Sequence, residues 1–141
     1  MNTYRPKYFK IQELVGPACH AARGDRAWEL LQVDMLVSLD QLRRKFGPLT
    51  VNNWADGGQY RESGLRDFDT ATGAKWSMHK FGGAADCKFR DAKPPEVSAY
   101  ILANPAEFSF ITTLENVQFT PTWLHFDCRN TDRQSIWIVN P

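Results

Sequence analysis

His79 and Asp86 stand seven residues apart in the run Ser77-Met78-His79-Lys80-Phe81-Gly82-Gly83-Ala84-Ala85-Asp86. An imidazole and a carboxylate at that separation reach one metal ion if the chain turns between them. Gly82 and Gly83 permit the turn, and Ala84 and Ala85 allow tight packing beside it. A second piece lies at Trp123-Leu124-His125-Phe126-Asp127. On a strand, side chains alternate with period two, so His125 and Asp127 point to the same face. Two neutral imidazoles and one carboxylate suit Zn²⁺, and three protein ligands leave a fourth position open, the mark of a catalytic rather than a structural site. Taken singly, neither piece is specific. A lone histidine in a glycine-rich turn is more often a hydrogen-bonded loop residue, and Asp127 has a plain ion pair as its alternative. The pairing of the two pieces is what points to a metal.

The elements that must carry these residues are legible in outline. Trp28, Leu31, Met35, Leu39, Leu42 and Phe46 recur every three to four residues and predict an amphipathic helix from Asp25 to Phe46. Asp25 is its expected N-cap, Arg43, Arg44 and Lys45 match the negative end of its dipole, and Gly47-Pro48 stops it. A strand is expected at Leu49–Val51, followed by a long, polar, glycine-rich loop to Lys75, of a length that is often functional. Gly82 to Phe89 reads as a turn entering a strand. Glu96 to Ala103 reads as a short helix after the Pro94-Pro95 break, and Phe108–Leu114, Thr122–Cys128 and Ile136–Val139 read as strands. The expected fold is a single α+β domain over 1–141, a small, mostly antiparallel sheet with a long N-terminal helix packed on one face.

Bulk properties narrow the function further. The 141 residues are 43% hydrophobic and 23% charged, enough for a core without disulfide staples. A formal net charge of +1 removes any bulk electrostatic case for nucleic acid or an acidic membrane. No run approaches the roughly 20 apolar residues of a membrane span. Met1 to Lys10 does not read as a signal peptide, so synthesis in a cytoplasm is expected. Cys19, Cys87 and Cys128 are too few and too widely spaced for a disulfide framework or a CxxC knuckle, and read as reduced packing thiols.

The residues also carry a family resemblance. Ser77, His79, Gly82, Ala84 and Asp86 form SxHxxGxAxD, which resembles the first metal motif of the D-alanyl-D-alanine metallopeptidases. That group includes the vancomycin-resistance dipeptidases and many phage endolysins, and the hedgehog signalling domain shares its fold. Trp123-x-His125-x-Asp127 resembles the strand that supplies the second histidine in such proteins. Ser63-Gly64-Leu65-Arg66 resembles their upstream Ser-Gly-Tyr-Arg element, with Leu in place of Tyr. Together these pieces span about 52–129.

The resemblance implies a Zn²⁺ cofactor on His79, Asp86 and His125. It also implies a hedgehog/DD-peptidase-like fold and hydrolysis of a peptide bond in bacterial cell-wall peptidoglycan. Arg66 would bind substrate or stabilise the transition state. Ser77 would contact substrate or orient His79, with a turn-forming hydroxyl as an equal alternative. Many relatives place a general-base Glu three residues before the second histidine, where this chain has Thr122. Asp127 is the favoured replacement and Glu115 the other. Trp54, Tyr60 and Trp76 are groove-lining candidates, with loop anchoring the stronger alternative for Trp54. The peptidoglycan peptide is the expected partner, with no nucleic acid and no membrane; nothing in the sequence speaks to oligomeric state. A lone catalytic domain of this kind resembles a phage or prophage endolysin that reaches the wall after release. The alternative is a catalytically silent virion or binding protein that keeps the fold.

Overall fold

The computed structural model describes residues 3–141. Three α-helices and a five-stranded sheet form an α+β fold: α1 Pro17–Arg23, α2 Val33–Phe46, β1 Leu49–Thr50, β2 Ala84–Phe89, α3 Pro94–Ala103, β3 Thr113–Glu115, β4 Leu124–Asp127 and β5 Trp137–Val139. The spatial order is β1-β2-β4-β3-β5. The β1–β2, β2–β4 and β3–β4 pairings are antiparallel and β3–β5 is parallel, so the sheet is mixed. No helix among the described residues is long and apolar enough to cross a membrane.

The long helix predicted from Asp25 is shorter than its apolar pattern. Gly24–Leu30 forms a 3₁₀ segment, Leu31 and Gln32 are extended, and Gln32 rather than Asp25 occupies the cap position of α2. The cause is a tertiary tie. The Gln32 backbone N–H donates to the Gly82 carbonyl at 3.0 Å. Its side-chain amide donates to the Phe81 carbonyl, also at 3.0 Å. Two bonds to the turn that follows His79 outweigh continuation of the helix. From Val33 onward the periodicity holds, with Met35, Leu36, Leu39 and Leu42 buried, and the helix ends at Gly47 with φ 83°. α1 was not legible as a helix; Pro17 opens it at a position where a missing N–H costs nothing. α3 starts on Pro94-Pro95 rather than after them, for the same reason. The strand expected from Phe108 begins only at Thr113, because Pro105–Phe108 makes a 3₁₀ turn that buries Phe108.

Alternation along the strands divides the sheet into an apolar face and a polar one. Ala85, Cys87, Leu114, Leu124 and Phe126 join α2 and α3 residues such as Leu39, Leu42, Val97 and Ile101 in one core cluster. Asp86 and Lys88 on β2, and His125 and Asp127 on β4, belong to the opposite face by period two. Register then assembles a row. Asp86 pairs with His125 across β2–β4, and Leu114 pairs with Phe126 across β3–β4, which sets Glu115 opposite His125 one residue further on. Glu115 in turn pairs with Val139 on β5. Side chains so placed lie about 4.5–5.5 Å apart at Cβ.

Gly82 is the pivot between the 3₁₀ turn and β2. Its φ is +70°, and a Cβ there would sit 2.0 Å from the Leu30 carbonyl oxygen, a backbone atom that cannot give way. Gly82→Ala should therefore cost about 2 kcal/mol or more, combining left-handed strain with displacement of the Leu30–Gln32 segment. Urea unfolding measures this; a loss under about 0.5 kcal/mol would show that the turn is not pinned as described.

Candidate metal centre

His79 sits in the 3₁₀ turn Met78–Phe81, whose start is capped by the Ser77 hydroxyl accepting from the His79 N–H at 3.3 Å. Gly82 and Gly83 reverse the chain into β2, which presents Asp86, and β4 presents His125 directly opposite. One potential ligand atom from each of His79, Asp86 and His125 lies within 4.8 Å of the others. His79 Nε2 is 3.2 Å from His125 Nδ1 and 3.3 Å from Asp86 Oδ1, and His125 Nδ1 is 2.9 Å from Asp86 Oδ1. Around a four-coordinate zinc with bonds of about 2.0–2.2 Å, donor atoms stand about 3.3 Å apart. The triangle already has nearly that size.

The outer nitrogens decide what the inner ones can do. His79 Nδ1 lies 2.8 Å from the Gly64 carbonyl oxygen, an acceptor only, so Nδ1 carries the proton and Nε2 faces inward as a lone pair. His125 Nε2 lies 3.1 Å from Asp127 Oδ2. Burial pushes the Asp127 carboxyl up, but hydrogen bonds from Arg129 and His125 outweigh it and hold the group down at about 2. Asp127 is thus an acceptor, His125 Nε2 carries the proton, and Nδ1 faces inward. Two imidazole lone pairs and a carboxylate oxygen converge on one point. Without a cation there they repel, and the His125 ring gains a proton: burial alone would lower its pKa, yet hydrogen bonds to Asp127 and Asp86 raise it to about 9. In this metal-free centre Asp86 is held well below the usual carboxylate range, with burial opposing and the hydrogen bond from the protonated His125 ring prevailing. The donor set fits a divalent metal ion.

A cleft of about 640 Å³ opens over the centre, lined among others by Arg66, Trp76, Glu115, Phe119 and Arg129. Arg66 Nη2 donates to Asp86 Oδ2 at 3.2 Å, and its Nε is fixed by the Glu62 carbonyl at 2.8 Å. Glu115 Oε1 lies 4.0 Å from His125 Nδ1, and the side chain is one-fifth exposed. Asp127, in contrast, is fully buried behind His125 and gripped by two Arg129 nitrogens. Of the two acidic candidates for a base, Glu115 lines the cleft and Asp127 is enclosed beneath it. Asp127 sits on His125 Nε2, the ring nitrogen opposite the one turned toward His79 and Asp86. HxD spacing puts both side chains on one face, but it does not distinguish a residue beside the histidine from one beneath it.

Of the remaining sequence candidates, Ser77 lines the cleft as well as capping the turn. Trp76 is 73% exposed and stacks on Phe81. Trp54 is an anchor, its indole N–H bonded to the Val15 carbonyl at 2.9 Å. Cys19, Cys87 and Cys128 are unpaired thiols. Three further groups at the site lie outside the sequence motifs: the Gly64 carbonyl, Arg129, and Thr120, whose buried hydroxyl oxygen lacks a hydrogen-bond partner at the cleft wall. An Arg two residues beyond an HxD was a readable signal for the second.

The shifted groups give the metal-free protein a distinctive pH profile. Asp86 and Asp127 have lowered values, so their stabilisation is present above about pH 4 and lost as pH falls through the folded values. His125 has a raised value, so its stabilisation is full below pH 6.5 and is lost as pH rises toward 9. Chelator-treated protein should lose about 2 kcal/mol between pH 6 and pH 8 in urea unfolding, and excess Zn²⁺ should abolish the loss. Metal-free stability that is flat or rising over that interval would contradict the tautomer assignment.

No family model, curated protein or solved structure matches the chain, so its chemistry rests on these residues alone.

Proposed function

We propose that the chain is a zinc-dependent peptidase that hydrolyses a peptide bond in bacterial cell-wall peptidoglycan, in the manner of a phage or prophage endolysin. The observation that carries the metal is the convergence of His79 Nε2, His125 Nδ1 and Asp86 Oδ1, with both histidine tautomers fixed from behind. Peptidase chemistry draws further support from the cleft above that point, which holds a carboxylate and a guanidinium, and from the SxHxxGxAxD and SGxR resemblance. Zn²⁺ bound there would supply a Lewis acid that polarises a carbonyl and lowers the pKa of water toward neutrality.

The chain's own groups divide the remaining work. Glu115, beside His125 on the cleft side, is the general base that takes the attacking water's proton and returns it to the leaving amine. Its place on the neighbouring strand substitutes for the glutamate that relatives carry at the position of Thr122. Arg66 faces the cleft with its position locked by Asp86 and Glu62, and stabilises negative charge that develops on the scissile carbonyl oxygen. Asp127 holds His125 in the ligating tautomer, and Arg129 holds Asp127. Ser77 keeps His79 at the start of its turn.

Zinc-loaded protein should release new amino groups from purified peptidoglycan. His79→Ala and His125→Ala should lose stoichiometric zinc and all activity. Glu115→Gln should keep zinc and lower kcat by about 10²–10⁴-fold. Asp127→Asn should weaken zinc affinity by about 10–100-fold and lose activity mainly at limiting zinc. Full activity in Glu115→Gln, with a collapse of kcat in zinc-saturated Asp127→Asn, would reverse the two roles. Stoichiometric zinc without hydrolysis of any wall chemistry would instead identify a catalytically silent binding protein.

A further inference from the structure

Gly73, Ala74, Trp76 and Ser77, all in the loop 67–77, line the cleft over the metal centre. None of residues 67–76 is buried, so apolar packing does little to hold this wall in place. Trp76 stacks on Phe81 at one end of the loop, and the middle depends on polar ties. Gly73 shows how closely the loop approaches the site. Its φ is +75°, and a Cβ there would lie 2.5 Å from Arg66 Nη1. The loop therefore meets the one Arg66 nitrogen that neither the Asp86 carboxylate nor the Glu62 carbonyl engages.

A single carboxylate makes the main tie. Glu62 Oε1 accepts from the Thr70 hydroxyl at 2.5 Å, and Oε2 accepts from the Thr72 hydroxyl at 2.6 Å. Both bonds are charge-assisted, and together they engage the two carboxylate oxygens at once. They hold the Glu62 carboxyl below its ordinary value although burial opposes, and Arg66 and Arg61 act in the same direction. The Thr72 N–H donates to Thr70 Oγ1 at 3.2 Å, which links the two threonines to each other. Among the described residues, the only other hydrogen bond joining 67–73 to the rest of the chain runs from Lys80 Nζ to the Thr70 carbonyl at 3.4 Å. Glu62 itself is not a lining residue of the cleft. Its carboxylate acts through the loop.

Resting on the peptidase reading, we infer that Glu62 is a positioning residue for that reaction: its carboxylate latches the 67–77 loop beside Arg66, as the wall against which the substrate peptide is held. The Thr70 and Thr72 hydroxyls are the other half of the latch. Released, the loop withdraws Gly73, Ala74 and Trp76 from the cleft, so substrate binding suffers first. His79, Asp86 and His125 lie outside the loop and keep their places.

The test compares the zinc-loaded unmodified protein with Glu62→Ala, Glu62→Gln and the double variant Thr70→Val/Thr72→Val. The first readout needs no turnover: trypsin cleavage after Lys75, an exposed residue within the loop. Cleavage there should quicken at least about 5-fold in Glu62→Ala and in the double variant, with urea unfolding and zinc stoichiometry unchanged. The second readout is steady-state hydrolysis of soluble peptidoglycan fragments. KM should rise at least about 5-fold in the same two variants, while kcat changes by less than about 3-fold. Combining Glu62→Ala with the threonine pair should add nothing further, as a shared latch requires. Glu62→Gln keeps an acceptor for one hydroxyl and should fall between the extremes. If Glu62→Ala does not fold, the threonine variant decides. Unchanged cleavage at Lys75, a fall in kcat with KM unchanged, or fully additive effects overturns the latch. Absence of hydrolysis by the unmodified protein would remove the peptidase reading, and the trypsin result then judges the latch by itself.

Discussion

Two hydrogen bonds at the back of the centre govern everything in front of it. The Gly64 carbonyl takes the proton of His79 Nδ1, and the Asp127 carboxylate takes the proton of His125 Nε2. Each forces a lone pair inward, and both lone pairs meet the Asp86 carboxylate oxygen. Three electron-rich atoms about 3 Å apart cannot stay together without positive charge between them. A proton serves this need poorly, because it satisfies two acceptors at once and leaves the third. A divalent ion satisfies all three. The constraint is therefore local electrostatics, and the rest of the molecule is arranged to keep those two acceptors where they are.

The fold meets that requirement through backbone rather than through long side chains. The Gly64 carbonyl is held close because the following residue, Leu65, donates its N–H to Leu14 at 2.8 Å and Arg66 donates to the His79 carbonyl at 3.0 Å. The turn carrying His79 is fastened to the start of α2 by Gln32. Sheet register supplies the remainder, since Asp86, His125 and Glu115 form one row across three strands. Phe126 and Leu114, pointing the other way into the core, fix that register because a slip by one residue would put His125 into apolar packing and Phe126 into the cleft. Core burial and metal geometry are thus two sides of the same strands.

The three residues of the cluster were more legible in the sequence than their neighbours. His79, Asp86 and His125 were legible because short-range spacing alone brings two of them through a glycine turn, and strand period orients the third. The α+β class was legible from helical and strand periodicity. The start of α2 was not, because the Gln32–Gly82 bond joins residues 50 apart and leaves no mark in local pattern. The different surroundings of Asp127 and Glu115 were hidden for a related reason. Both are acidic residues near the second histidine, and only cross-strand register shows that one lies beneath the ring while the other lies beside it. Arg129, which settles Asp127 in its buried role, was present in the sequence two residues away and went unread.

The empty and the filled centre differ most directly in protonation. Calorimetric titration of the chelator-stripped protein with Zn²⁺, in buffers of differing ionisation enthalpy at pH 7, counts the ions bound and the protons released together. One Zn²⁺ per chain with about one proton released, and neither in His125→Ala, is the result that follows from two inward lone pairs sharing a displaced proton. Absence of zinc binding, or tight binding with no proton release, would contradict it.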